Sequence, residues 1–160
     1  MSINPTAQQN GNLYFVPIRG EWDFQDLPFK ASVAMPQGAA IGIEIVTNDV
    51  TGNVTLMGVE NVTGADVQGI LMQTIASTDA DYATAGKKRT VAIPKDASAI
   101  AEFAVGAGTF TAADVFKTVE FNSDSLGLAV DTKGKGARIT KYISSSRGEC
   151  QFVLPTTETA

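Results

Sequence analysis

Residues 41–46, Ile-Gly-Ile-Glu-Ile-Val, place an isoleucine at every second position. Because successive side chains of a β-strand point to opposite faces, the three isoleucines share one face. The turn-forming stretch 48–52 (Asn-Asp-Val-Thr-Gly) follows, and the apolar run 54–59 comes after it. This order predicts a β-hairpin whose two arms are 41–46 and 54–59.

The chain as a whole has the composition of a β-protein. It contains 14 Val, 11 Ile and 17 Thr against 7 Leu, and 15 glycines and 6 prolines are spread along it. β-Branched side chains favour strands, and Gly and Pro favour the turns between them. Apolar segments predict further strands at 13–18 (an edge strand because of its proline), 29–35, 69–76, 89–94, 99–105, 126–130, 139–143 and 151–154.

Few segments predict anything other than strand. Residues 20–28 are expected to be a loop and 78–86 a helical turn or a compact loop. Thr111 is expected to cap a short helix over 111–117, with Asp114 in its first turn. The predicted fold class is therefore all-β with a minor α component, a compact antiparallel β-sandwich or barrel. The match between 64–67 (Gly-Ala-Asp-Val) and 112–115 (Ala-Ala-Asp-Val) is too short to predict an internal repeat.

The chain of 160 residues is long enough for one domain with an ordinary core. We predict a flexible N-terminal arm over 1–12, a single β-rich domain over 13–154 and a polar tail over 155–160. No apolar run approaches the length of a membrane span, and the N-terminus lacks the pattern of a signal peptide. These features predict a soluble protein made and kept in a reducing compartment.

Composition also narrows the chemistry. The chain has no histidine, and Cys150 is its one cysteine, so histidine-based catalysis, a disulfide within the chain and a cysteine cluster for zinc are excluded. The net charge of −5 and the pI near 4.6 argue against direct nucleic-acid binding, which needs clustered cations. We therefore expect no enzyme activity, no cofactor and no metal.

Two groups of carboxylates have to be weighed against that expectation. Asp79 and Asp81 resemble the start of a calcium loop, but the further ligands of an EF-hand are missing, so solvated loop carboxylates are favoured. Glu21, Asp23 and Asp26 surround a tryptophan, as in a glycosidase site, although a loop anchored on its aromatic residues is the simpler interpretation.

Other segments carry weak chemical signals. The basic run 87–89 is expected to be a solvated turn or a salt-bridging rim, and 133–136 (Lys-Gly-Lys-Gly) a hairpin turn, because neither has the spacing of a phosphate loop. The serines of 144–148 have no histidine to activate them and no Gly-x-Ser-x-Gly motif. Cys150 is expected to be an inert thiol at the start of a strand.

An aromatic segment near the N-terminus is the main candidate for binding a partner. Aromatic side chains are enriched where protein interfaces gain most of their free energy. The alternative is that these residues simply close the core. The predicted partner-binding residues are Tyr14, Phe15, Val16, Ile18, Trp22 and Phe24.

The layout resembles the capsid decoration, or cement, proteins of tailed phages. The resemblance covers 13–154 and follows a polar N-terminal arm. It includes 29–34 (Phe-Lys-Ala-Ser-Val-Ala) leading into 38–42 (Gly-Ala-Ala-Ile-Gly), then 69–71 (Gly-Ile-Leu). It also includes a composition that is low in charged residues and rich in Ala, Gly and Thr, and the segment 145–148 (Ser-Ser-Arg-Gly) near the end of the domain.

The resemblance implies a function on a virus particle. It implies a β-rich module, often a homotrimer, that binds the major capsid protein on the outside of the phage head and stabilises the head against the pressure of its DNA. Such a protein is synthesised in the host cytoplasm and ends on the capsid exterior. It needs no cofactor, no membrane and no direct nucleic-acid contact.

Three alternatives stay open at this point. Another virion part, such as a tail-tube or head-fibre subunit, has the same β-rich profile. A carbohydrate-binding β-sandwich that uses Trp22 belongs to a different class. An enzyme that works with carboxylates alone would depend on Glu21, Asp23 and Asp26.

Overall fold

A computed structural model of the chain describes residues 14–47, 54–60, 67–123 and 125–153. Short strands make up nearly all of its regular structure, and one 3-10 turn over Ala112–Asp114 interrupts them. In chain order the strands are β1 Phe15–Arg19, β2 Trp22–Phe29, β3 Ala40–Thr47, β4 Val54–Glu60, β5 Val67–Leu71, β6 Lys87–Pro94, β7 Ile100–Ala107, β8 Thr118–Phe121, β9 Leu128–Lys133, β10 Ala137–Ser144 and β11 Arg147–Phe152.

Strands β2 to β6 form a closed five-stranded barrel in the order β2-β4-β3-β5-β6. The predicted hairpin is confirmed, since β3 and β4 pair antiparallel from Ile41↔Glu60 to Thr47↔Val54. β2 pairs antiparallel with β6 over its full length. A single parallel bridge, Phe29↔Gly58, joins β2 to β4 and closes the barrel.

Strands β7 to β11 form the second unit. They belong to a sheet with the order β9-β8-β10-β11-β7-β1. Because β9 also pairs in parallel with β7, through Leu128↔Val105 and Ala129↔Ala107, five of these strands are hydrogen-bonded in a ring. β1 lies outside the ring and adds to the free part of the β7 edge, antiparallel to it.

The two rings have the same topology. In each, the first strand pairs in parallel with the third and antiparallel with the fifth, while the second pairs antiparallel with the third and the fourth. The fourth and fifth strands of each ring also pair antiparallel. The chain therefore contains a structural repeat, although the matching segments 64–67 and 112–115 lead into non-equivalent strands, the fourth and the second.

The two barrels share a core. One cluster of buried residues includes Ile70 and Ala92 from the first barrel and Phe103 and Ile139 from the second, and another, around Phe29, lies within the first. Backbone hydrogen bonds also cross the contact, from Phe15 N to Gly38 O at 3.0 Å and from Ala40 N to Ser125 O at 2.8 Å. Gly38 has φ +94°, and a Cβ there would lie 2.9 Å from the Tyr14 amide, so only glycine fits without strain.

Three predictions of secondary structure were wrong. Residues 20–28, expected as a loop, contain most of β2, and 30–34 are turn and coil where a strand was expected over 29–35. The expected helix over 111–117 is one 3-10 turn. The chain leaves it because Phe116 N donates to Ile139 O at 2.7 Å and Ile139 N donates to Lys117 O, which draws the segment onto β10.

The remaining predictions of secondary structure agree in outline, although the strand expected over 69–76 ends at Leu71. The fold is all-β, as predicted. In place of one sandwich or one barrel, the structure has two five-stranded rings that pack together. The predicted capping of the short helix by Thr111 is confirmed, since its side chain accepts from Ala113 N while Thr111 N donates to Asp114. The predicted arm over 1–12 and the tail over 155–160 lie outside the described residues.

Candidate functional site

The aromatic residues near the start of the chain divide between core and surface, and Phe15 belongs to the core. It is 1% exposed. Its ring centroid lies 5.4 Å from that of Phe121 and 5.6 Å from that of Phe152. Phe15 therefore stabilises the fold and offers no surface to a partner.

The neighbours of Phe15 on β1 are more accessible. Tyr14 and Val16 are half-buried, and Ile18 is exposed. Tyr14, just before β1, packs against the core cluster that the two barrels share. Alternation along β1 places Val16 on the face opposite Phe15, and Ile18 lies where the register with β7 shifts.

Trp22 and Phe24 lie at the start of β2. The ring of Trp22 meets Phe152 of the second barrel edge to face, with centroids 6.1 Å apart, and its indole N–H donates to Arg19 O at 3.0 Å. Phe24 shares this face of β2 two residues further on, about 7 Å along the strand, and 56% of it is exposed. An exposed aromatic ring thus continues a row that begins in the contact between the barrels.

A groove lies next to this row. It has a volume of about 340 Å³, and Phe152 and Val153 supply its apolar surface. The groove is bounded by the end of β11, the start of β8 and the link between β6 and β7. The lining residues are Ala97, Thr118, Arg138, Gln151, Phe152 and Val153.

Phe116 stands beside the groove in an unfavourable conformation. It is 64% exposed and has φ +76°, a left-handed backbone that is strained for a bulky aromatic residue. The Arg138 guanidinium carbon lies 4.9 Å from its ring centroid, within the range of a cation–π contact. The sequence placed Phe116 within a helix and gave no sign that its ring would be presented to solvent.

We use the term seam surface for Trp22, Phe24, Phe116, Arg138 and Val153. Arg138 and Val153 line the groove, and the Phe116 ring contacts Arg138. The half-buried Trp22 contacts Phe152 of the groove lining, and Phe24 follows it on the same face of β2. Aromatic and arginine side chains are the types that dominate binding energy at protein interfaces. The seam surface is therefore suited to adhesion, with Arg138 able to pair a carboxylate of a partner.

A larger groove, of about 590 Å³, is lined by the 3-10 turn, the start of β8, and β9 with the connection that follows it. Its two carboxylates accept hydrogen bonds within the protein. The Asp114 carboxylate accepts from Lys117 Nζ at 3.0 Å, and Asp131 accepts from Thr109 N at 3.1 Å. The hydrogen bonds from Thr111 N and from Lys117 lower the pKa of Asp114. These hydrogen bonds join the 3-10 turn to Lys117 and the segment before the turn to β9, so both carboxylates serve the fold.

Asp79 and Asp81 bind an arginine of the same chain. Arg89 forms a two-point contact with Asp81, at 2.9 and 2.7 Å, and reaches Asp79 at 3.1 Å. The backbone N–H of Ala76 and the guanidinium lower the pKa of Asp79, and the guanidinium lowers the pKa of Asp81. The cluster ties the loop between β5 and β6 to β6. The two aspartates are loop carboxylates that stay partly exposed, as predicted, and they are also paired with Arg89, which was not predicted.

Lys87 departs from the expected solvated basic run. It is buried, and its ammonium group donates to the carbonyl oxygens of Lys30 and Tyr82 while lying 5.8 Å from the centroid of the Tyr82 ring. Burial lowers its pKa, and the nearby Arg89 adds to this effect. The rim interpretation is confirmed for Arg89, whereas Lys87 closes the end of the first barrel.

The three carboxylates near Trp22 lie at separate positions. Asp23 accepts from the Gln25 side chain, and Asp26 accepts from Thr90 Oγ1 at 2.8 Å. Glu21 is exposed. Asp23 and Asp26 belong to opposite faces of β2 by alternation, so they do not form the facing pair that glycosidase chemistry uses.

The cysteine and the serines that were weighed as nucleophiles lie where they serve the fold. Cys150 is fully buried, and burial raises the pKa of its thiol, which makes it a poor nucleophile as expected. Ser144 Oγ accepts from Ser146 N at 3.3 Å in the turn between β10 and β11. The 133–136 segment connects β9 to β10, but both strands pair with β8 and not with each other, so the predicted hairpin turn was wrong.

Comparisons of the chain with models of protein families, with curated proteins and with solved structures find no match. In the part of the chain that the structure describes, no group of three or more His, Cys, Asp or Glu residues is arranged to hold a metal ion. Over the same residues, no helix is long and apolar enough to cross a membrane. The seam surface is the site that its geometry marks out for binding.

Proposed function

We propose that this chain is a capsid decoration protein that binds the major capsid protein on the outside of a phage head and stabilises the head. One observation carries the proposal: Phe116 is held exposed at φ +76° beside Arg138 and an apolar groove. Backbone strain of this kind persists where the surrounding structure imposes it, and it is concentrated at functional sites. The likeness of the sequence to decoration proteins supplies the kind of partner.

The architecture supports a role as a clamp. Two rings of hydrogen-bonded strands share a core, so the seam surface is carried by paired strands and short connections. A rigid surface loses little conformational entropy when it binds, which leaves more of the contact energy for affinity. A decoration protein that bridges neighbouring capsid subunits stabilises the bound shell by mass action.

The proposal includes a homotrimer on the capsid exterior. Three seam surfaces that bind one shell at the same time act through effective concentration, so each contact can be weak on its own. The net charge of −5 favours solubility of copies that have not yet bound. Light scattering after size-exclusion chromatography tests the trimer in solution, and electron microscopy of decorated shells tests it on the capsid.

The direct test is binding to expanded shells that lack this protein. Shells of the virus that encodes the chain are mixed with purified protein and sedimented, and the bound fraction is measured. We expect saturable binding by the native chain and at least tenfold weaker binding by Phe116→Asn, as about 1.4 kcal/mol of lost contact energy gives. Binding to isolated tails in place of heads would favour a tail-tube role and contradict the proposal.

A matched control uses an exposed apolar residue away from the seam surface. Ile143 is 46% exposed and lies five residues beyond Arg138 on β10, about 16 Å along the strand. Ile143→Thr is expected to bind shells as the native chain does. Equal losses in Phe116→Asn and Ile143→Thr would show that the effect is not specific to the seam surface.

A further inference from the structure

Strand β2 is paired along one edge and open along most of the other. It pairs with β6 at every residue, from Trp22↔Pro94 to Phe29↔Lys87. On the opposite edge the structure gives one bridge, at Phe29↔Gly58. Within the described ranges, the other edge of 22–26 therefore has no partner strand.

Thr90 shows which backbone groups point toward that open edge. Its N–H donates to Gln73 Oε1 at 2.7 Å, and its carbonyl oxygen accepts from Met72 N at 2.8 Å. Both groups therefore point away from Asp26, which lies opposite Thr90 in the register. Asp26 and Thr90 are a non-hydrogen-bonded pair of the antiparallel ladder.

The alternation of the ladder then determines which way the backbone groups of the other β2 residues point. Hydrogen-bonded and non-hydrogen-bonded pairs alternate along an antiparallel pair, and β2 meets β6 without a register shift. The N–H and C=O groups of Trp22, Phe24 and Asp26 thus point to the open edge, while those of Asp23 and Gln25 bond to β6.

Two prolines agree with this assignment. Pro28 and Pro94 have no N–H, and both fall at the non-hydrogen-bonded positions that the alternation predicts, opposite Lys88 and Trp22. The open edge therefore presents the amide groups of three alternate residues, which is the pattern that an added strand would use.

In the second barrel, the equivalent strand edge is paired with an additional strand. β7 is the counterpart of β2, because each is the first strand of its ring and pairs in parallel with the third at its C-terminal end. Ahead of that point, β1 runs antiparallel along β7, with Phe15↔Phe103 and Val16↔Glu102 in register. The repeat thus shows what this position accommodates, an antiparallel extended strand.

We propose that the open edge of β2 binds an extended segment of the partner protein as an added antiparallel strand with basic side chains. Asp23 and Asp26 make this strand acidic, Glu21 lies directly before it, and the strand itself contains no Lys or Arg. Two copies of β2 edge to edge would bring like charges together, which disfavours a second copy as the occupant. Phe24 offers an exposed ring to an apolar side chain of the segment.

The identification of the partner as the capsid protein rests on the proposed function, but the edge itself can be tested without it. The probe is an acetylated and amidated seven-residue peptide, Lys-Thr-Val-Lys-Val-Thr-Lys, with the peptide in which Glu replaces each Lys as control. Hydrogen exchange of the purified chain is followed by NMR at increasing peptide concentration. The basic peptide is expected to slow exchange at the Trp22, Phe24 and Asp26 amides and to leave Asp23 and Gln25 unchanged.

That alternating pattern is specific to strand addition. Protection at none of the three amides, or equal protection by the acidic peptide, would overturn the proposal. A contact made through side chains alone would shift resonances of the Phe24 ring without slowing exchange at these amides, and would also contradict it.

The shell assay separates the edge from the proposed function. Phe24→Pro removes the N–H group that points to the open edge and leaves the hydrogen bonds between β2 and β6 intact. Phe24→Val keeps that N–H group. Both variants lose the exposed ring, so the difference between them reports the N–H, and we expect Phe24→Pro to bind shells about tenfold more weakly than Phe24→Val, as one or two lost hydrogen bonds give. Equal binding by both variants would exclude the edge as the shell contact, and failure of the native chain to bind shells would count against the proposed function while leaving the peptide result to decide the edge.

Discussion

The guanidinium carbon of Arg138 lies 4.9 Å from the centre of the Phe116 ring, and this contact holds an exposed aromatic side chain on a left-handed backbone. The two residues come from separate elements, the connection after the 3-10 turn and β10. Their contact fixes the ring beside the groove that Phe152 and Val153 line. The proposed adhesive role depends on this arrangement.

The strain at Phe116 predicts opposite effects of one substitution on stability and binding. Asn adopts a left-handed backbone more readily than Phe, so Phe116→Asn is expected to leave the free energy of unfolding unchanged or to raise it by up to about 1 kcal/mol. The same change removes the exposed ring and is expected to weaken shell binding. Urea unfolding and sedimentation with shells measure the two quantities, and a loss of more than about 1 kcal/mol of stability would show that Phe116 serves the fold.

The two phenylalanines near the N-terminus are expected to behave differently. Phe15 is buried against Phe121 and Phe152, so Phe15→Ala should lower the free energy of unfolding by about 3–5 kcal/mol. Phe24 is 56% exposed, and Phe24→Ala should change it by less than about 0.5 kcal/mol. Similar losses in both variants, measured by urea unfolding, would contradict the division between core and surface.

The carboxylates around Arg89 predict a loss of stability in acid. The pKa values of Asp79 and Asp81 are lowered in the folded protein, so their contribution is complete above the unfolded pKa of about 3.9 and is lost as the pH falls below it. Asp96 and Asp114 have lowered pKa values for other reasons and add to the same slope. The free energy of unfolding should therefore fall between about pH 4 and pH 2.

A variant measures how much Arg89 contributes to this pH dependence of stability. In Arg89→Met the two aspartates lose their cation, so the decline below about pH 4 should be shallower than in the native chain, from a lower starting stability. Asp96 lies outside this cluster and keeps its hydrogen bonds from Ser98. An unchanged acid slope in Arg89→Met would show that the cluster does not contribute to the pH dependence.

Local sequence signals predicted the elements whose stabilisation is local or strongly patterned. The alternating isoleucines of 41–46 predicted β3 together with its hairpin, and Thr111 with Asp114 predicted a capped turn. The predicted length of that helix was wrong because the backbone N–H of Phe116 donates to Ile139 O of β10. This hydrogen bond joins residues that are distant in sequence, so no local pattern predicts it.

Strand β2 shows why the rest was hard to predict. Its residues Asp23, Gln25, Asp26 and Pro28 disfavour strands, yet pairing with β6 and burial of Leu27 hold the segment extended. The repeat of the barrel topology was equally hidden, since equivalent strands are defined by their pairing and not by matching residues. Of the predicted binding residues, Trp22 and Phe24 belong to the seam surface, whereas Phe116 and Arg138 have no local pattern that marks them.

The most direct test of the proposed function is the temperature at which DNA-filled heads rupture with and without this protein, followed by a dye that binds released DNA. Heads lacking the chain are expected to rupture at a lower temperature, and adding the native chain back should restore the rupture temperature, whereas Phe116→Asn should restore it only at higher concentration. Equal rupture temperatures with and without the bound chain would contradict the proposal that it stabilises the head.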